Sequence, residues 1–343
     1  MPLPLHLVPH WRAYMADIEV FGWQSDHSGG YYRIQLPLQA LAMRGRVTVS
    51  GFYMPDLVRD NPKTVIVGQR ICDPHATRVW QSLAAEDHRL VFEIDDDLWN
   101  TDPSSASVHK YFADEEIQAN LRRNIEVSAA VTVTTEPLAD RVRPWNPNVH
   151  VVPNAVPDWL VNRQPQQRGD GTITLGWGGS PTHQMDWERH GGPIHRFLDL
   201  HSQAEIHCIG NNYARVMGLP QERIRFTPWV ANVETYLHTI DYHIGIAPLQ
   251  EHIFNRSKSA LKVIECGALG IPVVASDVGP YRDYVQDGIT GYLVRGDREW
   301  VRYLSALAND SDMRVAMGEA ARARAAQQTI SCLTPLWEKA IFG

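Results

Sequence analysis

Cysteine is scarce in this sequence, and its positions exclude two kinds of structure. The chain has 343 residues and four cysteines, which are Cys72, Cys208, Cys266 and Cys332. Because they are dispersed, they provide neither a disulfide framework nor the paired spacing of zinc ligands. Reduced thiols and a cytoplasmic location are therefore expected.

Long hydrophobic runs are also lacking. No apolar run approaches the ~20 residues that a membrane-spanning helix needs. Residues 1–14 are interrupted by prolines and histidines, so they lack the continuous apolar core of a signal peptide. The sequence therefore predicts neither a membrane span nor export by that route.

Positive charge is in deficit. Lysine and arginine number 32 against 39 aspartates and glutamates, which gives a net charge of −7 at pH 7 and a pI near 6.1. Proteins that bind nucleic acid mainly through its phosphates need the opposite balance. Nucleic acid is accordingly not the expected partner, and a DNA-modifying transferase is the least favoured function considered.

Core-forming residues are abundant, and their pattern indicates the fold class. Hydrophobic residues make up 44% of the chain, and 11 of them are tryptophans, enough for two cores of ordinary size. Short β-rich runs alternate with helical patterns, which predicts parallel strands joined by crossover helices. The predicted fold is α/β, with two Rossmann-like domains facing across a cleft and C-terminal helices. Ligands in such sheets bind beyond the carboxyl ends of the strands.

The predicted elements follow from these runs. The strands are predicted at Ile18–Phe21, Val47–Phe52, Thr64–Val67, Leu90–Ile94, Ala130–Thr135, Val149–Val152, Thr172–Trp177, Glu205–Ile209, Ile224–Thr227, His243–Pro248, Pro272–Ser276 and Tyr292–Val294. Helices of the first half are predicted at Tyr32–Met43, Pro74–Asp87 and Asp114–Ser128.

A largely polar stretch divides the two halves of the chain. The predicted domains are residues 1–158 and 172–328, joined by a linker at residues 159–171. Residues 329–343 are predicted to form a last helix, with Pro335 in its first turn, that packs back toward the first domain.

The segment between residues 254 and 277 combines a polar helix with a buried strand. A helix is predicted from Lys258 to Leu269, capped by Ser257 or Ser259 and stopped by Gly270 and the proline that follows. At about 100° per residue, Lys258, Lys262 and Glu265 share one face of this helix.

This face has the charges that a nucleotide would need. A helix start attracts anions, and the two lysines would strengthen its field for a phosphate-sized group. Glu265 lies roughly 10 Å further along the axis, where its carboxylate could accept bonds from two ribose hydroxyls. The alternative is a solvated face on which Lys262 merely pairs with Glu265.

Two runs of residues carry a resemblance to a known family. They are Glu265-Cys-Gly-Ala-Leu-Gly-Ile-Pro-Val-Val-Ala-Ser-Asp-Val-Gly-Pro and Val285-Gln-Asp-Gly-Ile-Thr-Gly-Tyr-Leu-Val294. In this order and spacing, the chain resembles GT-B-fold glycosyltransferases of the retaining family four, also described as glycosyl transferases group 1. The resemblance implies a nucleoside-diphosphate-sugar donor, a hydroxyl acceptor, retention of configuration, and no metal or other cofactor. It also implies that Glu265 binds the donor's ribose.

The sequence departs from the family at two places. The family usually has a glutamate at the position of Ser257, where it contacts the donor sugar, so Asn255, Arg256 and Ser257 are candidates for that role. Many members have arginine and lysine in the loop after the first strand of the second domain. That loop here offers Gly178, Gly179, Ser180, Thr182 and His183, which could cradle a phosphate with backbone N–H groups or could form an ordinary tight turn.

The first half supplies two further sets of candidates. Gly29 and Gly30, with Arg33 nearby, resemble the glycine loop that reaches toward the donor phosphates in such enzymes. Asp95, Asp96 and Asp97 follow a predicted strand, and one of them could accept a proton from the acceptor hydroxyl. His109, in a loop beyond them, is a further catalytic candidate.

Alternatives remain for the acidic run and for the whole protein. The three aspartates could bind a metal, or they could cap a helix; a true general base among them would allow inversion instead of retention. A glycosyltransferase is the leading hypothesis. A nucleotide-sugar epimerase or hydrolase on the same fold and a non-catalytic nucleotide-sugar-binding protein are the alternatives.

Overall fold

The first half of the chain forms a parallel sheet flanked by helices. The computed structural model describes residues 18–24, 27–51, 64–86, 88–167 and 169–343. The elements of the first half are β1 (Glu19–Trp23), α1 (His27–Gly30), a π-helix (Tyr31–Gln35), α2 (Leu36–Met43), β2 (Thr48–Gly51), β3 (Val65–Gln69), α3 (Pro74–Ala85), β4 (Arg89–Ile94), α4 (Ala106–Phe112), α5 (Glu115–Glu126), β5 (Ala130–Val133), α6 (Glu136–Val142) and β6 (Val149–Val151). The strand order is β2-β1-β3-β4-β5-β6, with all neighbours parallel.

The second half repeats this architecture. After a 3-10 helix (Asp158–Asn162), its elements are β7 (Ile173–Gly179), a 3-10 helix (Pro181–His183), α7 (Gln184–Leu200), β8 (Ala204–Gly210), α8 (Tyr213–Val216), a 3-10 helix (Gln221–Arg223), β9 (Ile224–Pro228), α9 (Val233–Thr239), β10 (Ile244–Ala247), α10 (Ile253–Arg256), α11 (Leu261–Ala268), β11 (Val273–Ser276), α12 (Pro280–Tyr284), β12 (Gly291–Val294), α13 (Asp297–Asn309), α14 (Ser311–Ala325), a 3-10 helix (Ala326–Gln328) and α15 (Ile330–Phe342). Its strand order is β12-β11-β10-β7-β8-β9, again all parallel.

These two sheets confirm the predicted fold class, and each of the twelve predicted strands is present. Two predicted termini, Phe52 and Asp87, lie outside the described residues. Apolar side chains explain the layers, because the central strands are buried on both faces. The largest fully buried side chains include Trp80 in the first half and Trp177, Trp187 and Trp300 in the second.

The predicted helix from Lys258 to Leu269 was wrong at its start. Two helices, α10 and α11, occupy this region, and Lys258 lies in the connection between them. His252 caps α10 through its ring nitrogen, while Ser259 accepts a hydrogen bond from Asn154. Ser259 is bonded elsewhere and Ser257 lies at the end of α10, and α11 begins after Ala260 without a side-chain cap.

The predicted end of the same helix is confirmed. Gly270 has φ of 70°, and its N–H bonds to the carbonyl of Gly267 while that of Ile271 bonds to Cys266. This pair of bonds is a Schellman motif, for which glycine is the favoured residue. The motif turns the chain directly into β11.

The last helix, α15, lies against α2 and β5 of the first half. Pro335 was predicted in its first turn but lies inside the helix, one turn further on. Trp337 packs 4.7 Å beneath the guanidinium of Arg33, and Arg89 donates to the carbonyls of Ile341 and Gly343. A backbone bridge joins Val156 to Thr329, where the chain crosses between the halves in each direction. The exact division into domains at residues 159–171 stays a prediction. Among the described residues, no helix is long and apolar enough to cross a membrane.

Candidate functional site

A cleft of about 480 Å³ lies between the two sheets, at the carboxyl ends of their strands. Its walls include many of the residues selected from the sequence. The first half contributes Gly29, Tyr32, Arg33, Arg70, Asp95, Asp96 and Asn154, among others. The second half contributes Gly178, Gly179, Ser180, Thr182, His183, Gly210, Trp229, Tyr236, Lys258, Lys262 and Glu265, among others.

Glu265 lies at the floor of this cleft, with only 3% of its surface exposed. Its Oε1 accepts a hydrogen bond of 2.5 Å from the Tyr32 hydroxyl, and its Oε2 accepts one of 3.0 Å from Tyr236. Burial raises the pKa of Glu265, and the two tyrosine hydroxyls and the charge of Lys262 oppose that rise. The carboxylate therefore joins the two halves of the protein through Tyr32.

Neither tyrosine was among the predicted site residues. Tyr32 is 233 positions from Glu265 in sequence, so no local spacing connects them. Tyr32 sits in the π-helix, a feature that often occurs at functional sites, whereas the sequence pattern indicated an ordinary helix there. Tyr236 lies on α9, and its hydroxyl occupies the space that a side chain at Gly178 would need.

Lys262 belongs to a buried chain of polar groups. Its Nζ is 2.9 Å from Nε2 of His183, whose Nδ1 is 2.7 Å from Oδ2 of Asp186. The other oxygen of Asp186 accepts from the side chain of Asn255 and from the backbone of Gln250, each at 2.8 Å. Lys262 thus pairs with His183, and the predicted alternative of a solvated Lys262–Glu265 pair is wrong because Glu265 is buried and bonded to two tyrosines.

Burial sets the charges in this chain of groups. It lowers the pKa of His183 to about 3, helped by the charges of Lys262 and Lys258. It also lowers the pKa of Lys262 to about 8, again with a contribution from Lys258. Hydrogen bonds and the charge of Lys258 outweigh burial at Asp186, whose pKa is lowered. A neutral histidine therefore stands between a carboxylate and an ammonium group.

Lys258 and the loop after β7 complete this wall. Lys258 is 9% exposed, and its Nζ lies 4.4 Å from the centre of the Phe254 ring. Ser180 and Thr182 are hydrogen-bonded through their hydroxyls at 2.9 Å. A side chain at Gly179 would come within 2.7 Å of Trp177, so glycine lets the loop backbone pass close to the cleft.

Two of the three predicted aspartates reach the cleft. Arg70 Nε lies 2.5 Å from Asp95, and its Nη2 lies 3.3 Å from Asp96. Burial raises the pKa of Asp95, but Arg70 outweighs it, and the pKa is lowered overall. The backbone of Arg70 has a positive φ of 49°. No other non-glycine residue in the described ranges has a positive φ. Such backbone strain recurs at functional sites.

The remaining acidic and histidine candidates lie away from the cleft. Asp97 is buried, accepts a bond from Asn100 at 2.8 Å, and has a pKa raised by burial. His109 lies on α4, not in the predicted loop, and its Nδ1 is 2.9 Å from the carbonyl oxygen of Thr101. Neither side chain is part of the cleft wall. In the portions that the structure describes, no three His, Cys, Asp or Glu side chains are grouped as metal ligands.

Arg33, predicted as a cation for the phosphates, is used inside the first half. It is 1% exposed, and its Nε lies 2.6 Å from Glu93. Its Nη1 donates to the Val152 carbonyl and to Asn154, at 2.7 and 3.2 Å. The π-helix presents Tyr32 to Glu265, while the next residue, Arg33, reaches into the sheet. Arg33 touches the cleft but acts chiefly as a link between β4, the segment after β6, and α15.

Three other predicted residues, Asn255, Ser257 and Gly30, contact other protein groups and do not line the cleft. Asn255 is fully buried against Asp186 and Gln250. Ser257 is buried outside the cleft wall, and its carbonyl accepts a bond of 2.9 Å from Thr135. Gly29 and Gly30 end the short helix α1 and do not form the predicted loop. A side chain at Gly30 would come within 2.7 Å of Gln24, and Gly29 is the member of the pair that lines the cleft.

Comparison with known proteins agrees with this architecture. Residues 193–310 match the family described as glycosyl transferases group 1. That region is about a third of the chain. It contains β8 to β12 and therefore Lys258, Lys262 and Glu265.

Two relatives match shorter stretches. D-inositol 3-phosphate glycosyltransferase of Nocardia farcinica is 47% identical over 68 residues, which cover 19% of this chain and 15% of the relative. The protein of the same name from Corynebacterium kroppenstedtii is 41% identical over 61 residues, 17% of this chain and 14% of the relative. The matched stretches thus span about one seventh of these relatives.

Solved structures match over most of the chain. Sucrose-phosphate synthase from Thermosynechococcus elongatus has a TM-score of 0.64 at 15% identity, covering 94% of this chain and 97% of its own. HepE of Anabaena, in a complex with UDP and glucose, has a TM-score of 0.61 at 14% identity, covering 94% and 98%. TarM of S. aureus has a TM-score of 0.60 at 14% identity, covering 83% and 56%. These similarities confirm the GT-B fold.

Replacing Arg33 with methionine should reduce the free energy of unfolding by about 3 kcal/mol, because it leaves Glu93 buried without its ion partner. Adding Glu93→Gln in the same chain should recover part of the loss. Urea denaturation measures both variants. A loss below about 0.5 kcal/mol, typical of an exposed cation, would contradict the structural role.

Proposed function

We propose that the protein is a glycosyltransferase that moves a sugar from a nucleoside-diphosphate sugar to a hydroxyl acceptor. The observation that carries the proposal is one cleft with two unlike walls. On one wall, Glu265 and two lysines lie beside a loop of small residues. On the other wall, Asp95 and Asp96 are paired with Arg70.

The second-half wall suits a nucleoside diphosphate. Lys258 and Lys262 can neutralise the phosphate oxygens, and the backbone after β7 can approach them closely. Glu265 can accept bonds from two vicinal ribose hydroxyls. HepE, which shares this fold, has been solved with UDP and with UDP-glucose. Here the same fold carries lysines on the segment from α10 to α11.

The first-half wall suits the acceptor. Asp96 faces the cleft with 26% of its side chain exposed, so it can accept a hydrogen bond from an incoming hydroxyl. Leu98, Val108 and Phe112 add an apolar surface beside it. We place the acceptor against this surface, with its reacting oxygen directed toward the donor's anomeric carbon.

Transfer with retention, without a metal, fits the charges of the two walls. Asp95 and Asp96 are paired with Arg70, and Asp97 lies outside the cleft, so none is a strong base opposite the sugar. The bond from the anomeric carbon to the diphosphate breaks, a bond to the acceptor oxygen forms on the same face, and the acceptor's proton passes to the leaving diphosphate. The two lysines stabilise the charge that develops on that diphosphate.

A thermal-shift screen tests donor binding. We expect one nucleoside diphosphate among UDP, GDP, ADP, CDP and TDP to raise the Tm by about 2–5 °C at 100 times its Kd, because it binds only the native state. Glu265→Gln should abolish this shift, whereas Glu319→Gln, on the exposed surface of α14, should retain it. If no nucleotide shifts the wild-type protein, the proposal fails.

Product analysis then separates the alternatives. Donor consumed without glycoside formation across a broad acceptor panel would indicate an epimerase or hydrolase, and binding without turnover would indicate a binding protein. With a working acceptor, the ¹H coupling of the new anomeric proton should match that of the donor, and it should do so in the presence of EDTA. An inverted product, or loss of turnover in EDTA, would contradict retention or metal independence respectively.

The bond between Tyr32 and Glu265 predicts a competition with the donor. Because Tyr32 encloses Oε1 of Glu265, ribose must displace its hydroxyl. Tyr32→Phe should therefore lower the Kd for the nucleoside diphosphate about fivefold, equivalent to roughly 1 kcal/mol. Tyr31→Phe is the control, since Tyr31 packs edge-on against Tyr32 at 5.2 Å and is not bonded to Glu265. Isothermal titration calorimetry gives both values. Weaker binding by the Tyr32 variant would show that its hydroxyl contacts the ligand.

A further inference from the structure

The loop after β7 has no cation of its own. The end of β7 and the loop after it, from Gly176 to Gln184, contain neither lysine nor arginine. An ammonium group is supplied instead by Lys262 on α11, which meets this loop at His183. A flexible lysine side chain has several rotamers, so an ammonium delivered from a distance needs an anchor to stay at the cleft wall.

His183 is built as that anchor. It is 4% exposed, and its ring packs edge-on against Trp177 at 5.8 Å. Asp186 accepts hydrogen bonds from Asn255 and Gln250 on one oxygen, which leaves its other oxygen as the acceptor for His183 Nδ1. An ionised carboxylate can only accept, so Nδ1 carries the proton.

This tautomer has a consequence at the other ring nitrogen. With the proton on Nδ1, Nε2 of the neutral ring has a lone pair directed at the ammonium of Lys262, 2.9 Å away. One N–H of Lys262 is thereby fixed, and the others remain for the cleft. Asp186 thus determines, through His183, where the charge of Lys262 lies.

We propose that His183 is a positioning residue that holds the ammonium of Lys262 against the diphosphate of the donor. This inference rests on the proposed function, since it concerns the same cleft. Lys262, on α11, supplies the positive charge that the loop lacks. The Asp186–His183 pair fixes the position of its ammonium group.

The surroundings of Lys262 also predict proton uptake on binding. The groups that face it are His183 and Asp186 from the β7–α7 region, Lys258 from the α10–α11 connection, Glu265 and Cys266 from α11, and Asp96 from the first half. Burial and Lys258 together lower the pKa of Lys262 to about 8. An anion beside the ammonium raises that pKa again. Nucleoside diphosphate binding near pH 8 should therefore take up about half a proton.

Two amide substitutions test the anchor. In His183→Gln the side-chain oxygen can reach the position of Nε2 and accept from Lys262, whereas in His183→Asn it reaches only the position of Nδ1. The probe is the nucleoside diphosphate that the wild-type protein binds best. Calorimetry at pH 8, in buffers with different ionisation enthalpies, gives the Kd and the protons taken up.

We expect His183→Asn to raise the Kd about tenfold and to change the proton uptake, while His183→Gln stays within about threefold of wild type. His195→Asn is the control, because His195 forms a similar pair with Asp199 on the same helix but is 37% exposed. Circular dichroism establishes that each variant is folded. If His183→Asn does not fold, retained binding and proton uptake in His183→Gln support the anchor, and their loss overturns it.

The possible failures are distinguishable. If the wild-type protein binds no nucleoside diphosphate, the proposed function fails. If it binds and both variants match it in Kd and proton uptake, only the anchor is overturned. Equal weakening by asparagine and glutamine also overturns it, because the ring's shape rather than its acceptor nitrogen would then matter.

Discussion

Buried charge is the constraint on which the cleft depends. An ionised side chain removed from water must find partners that repay its lost hydration. Glu265 is hydrogen-bonded to two tyrosine hydroxyls, Lys262 to a neutral histidine, and Asp186 to three donors. Because these partners come from both halves of the protein, the electrostatics of the site depend on how the two halves pack together.

The fold was largely readable from the sequence because its signals are local. Each strand is an apolar run that can be recognised without knowing its neighbours, and alternation with helices is enough to predict parallel sheets. Glu265 and the two lysines were readable for the same reason, since they share one short segment. Gly270 indicated the end of α11, because the residue that closes the helix there has a positive φ, which glycine adopts readily.

The remainder depends on contacts that local patterns do not encode. One extra residue in the π-helix changes which side chains face the cleft, so Tyr32 reaches Glu265 while Arg33 is drawn to Glu93. The predicted cap at Ser259 is absent because its hydroxyl is bonded to Asn154, which is 105 positions away. Asp95 and Asp96 were correctly placed at the cleft, but their pairing with Arg70, which lies on another strand's end, changes what they can do.

The paired crossings at Val156 and Thr329 affect how the cleft can open. The chain passes from the first half to the second near Val156 and returns near Thr329, and the two passages are bonded side by side. Two adjacent covalent connections act as a hinge between the two halves. They resist twisting and sliding of one half against the other, and they leave bending about their common line as the easiest motion. A molecule entering the cleft would therefore meet walls that separate most at the edge farthest from these crossings.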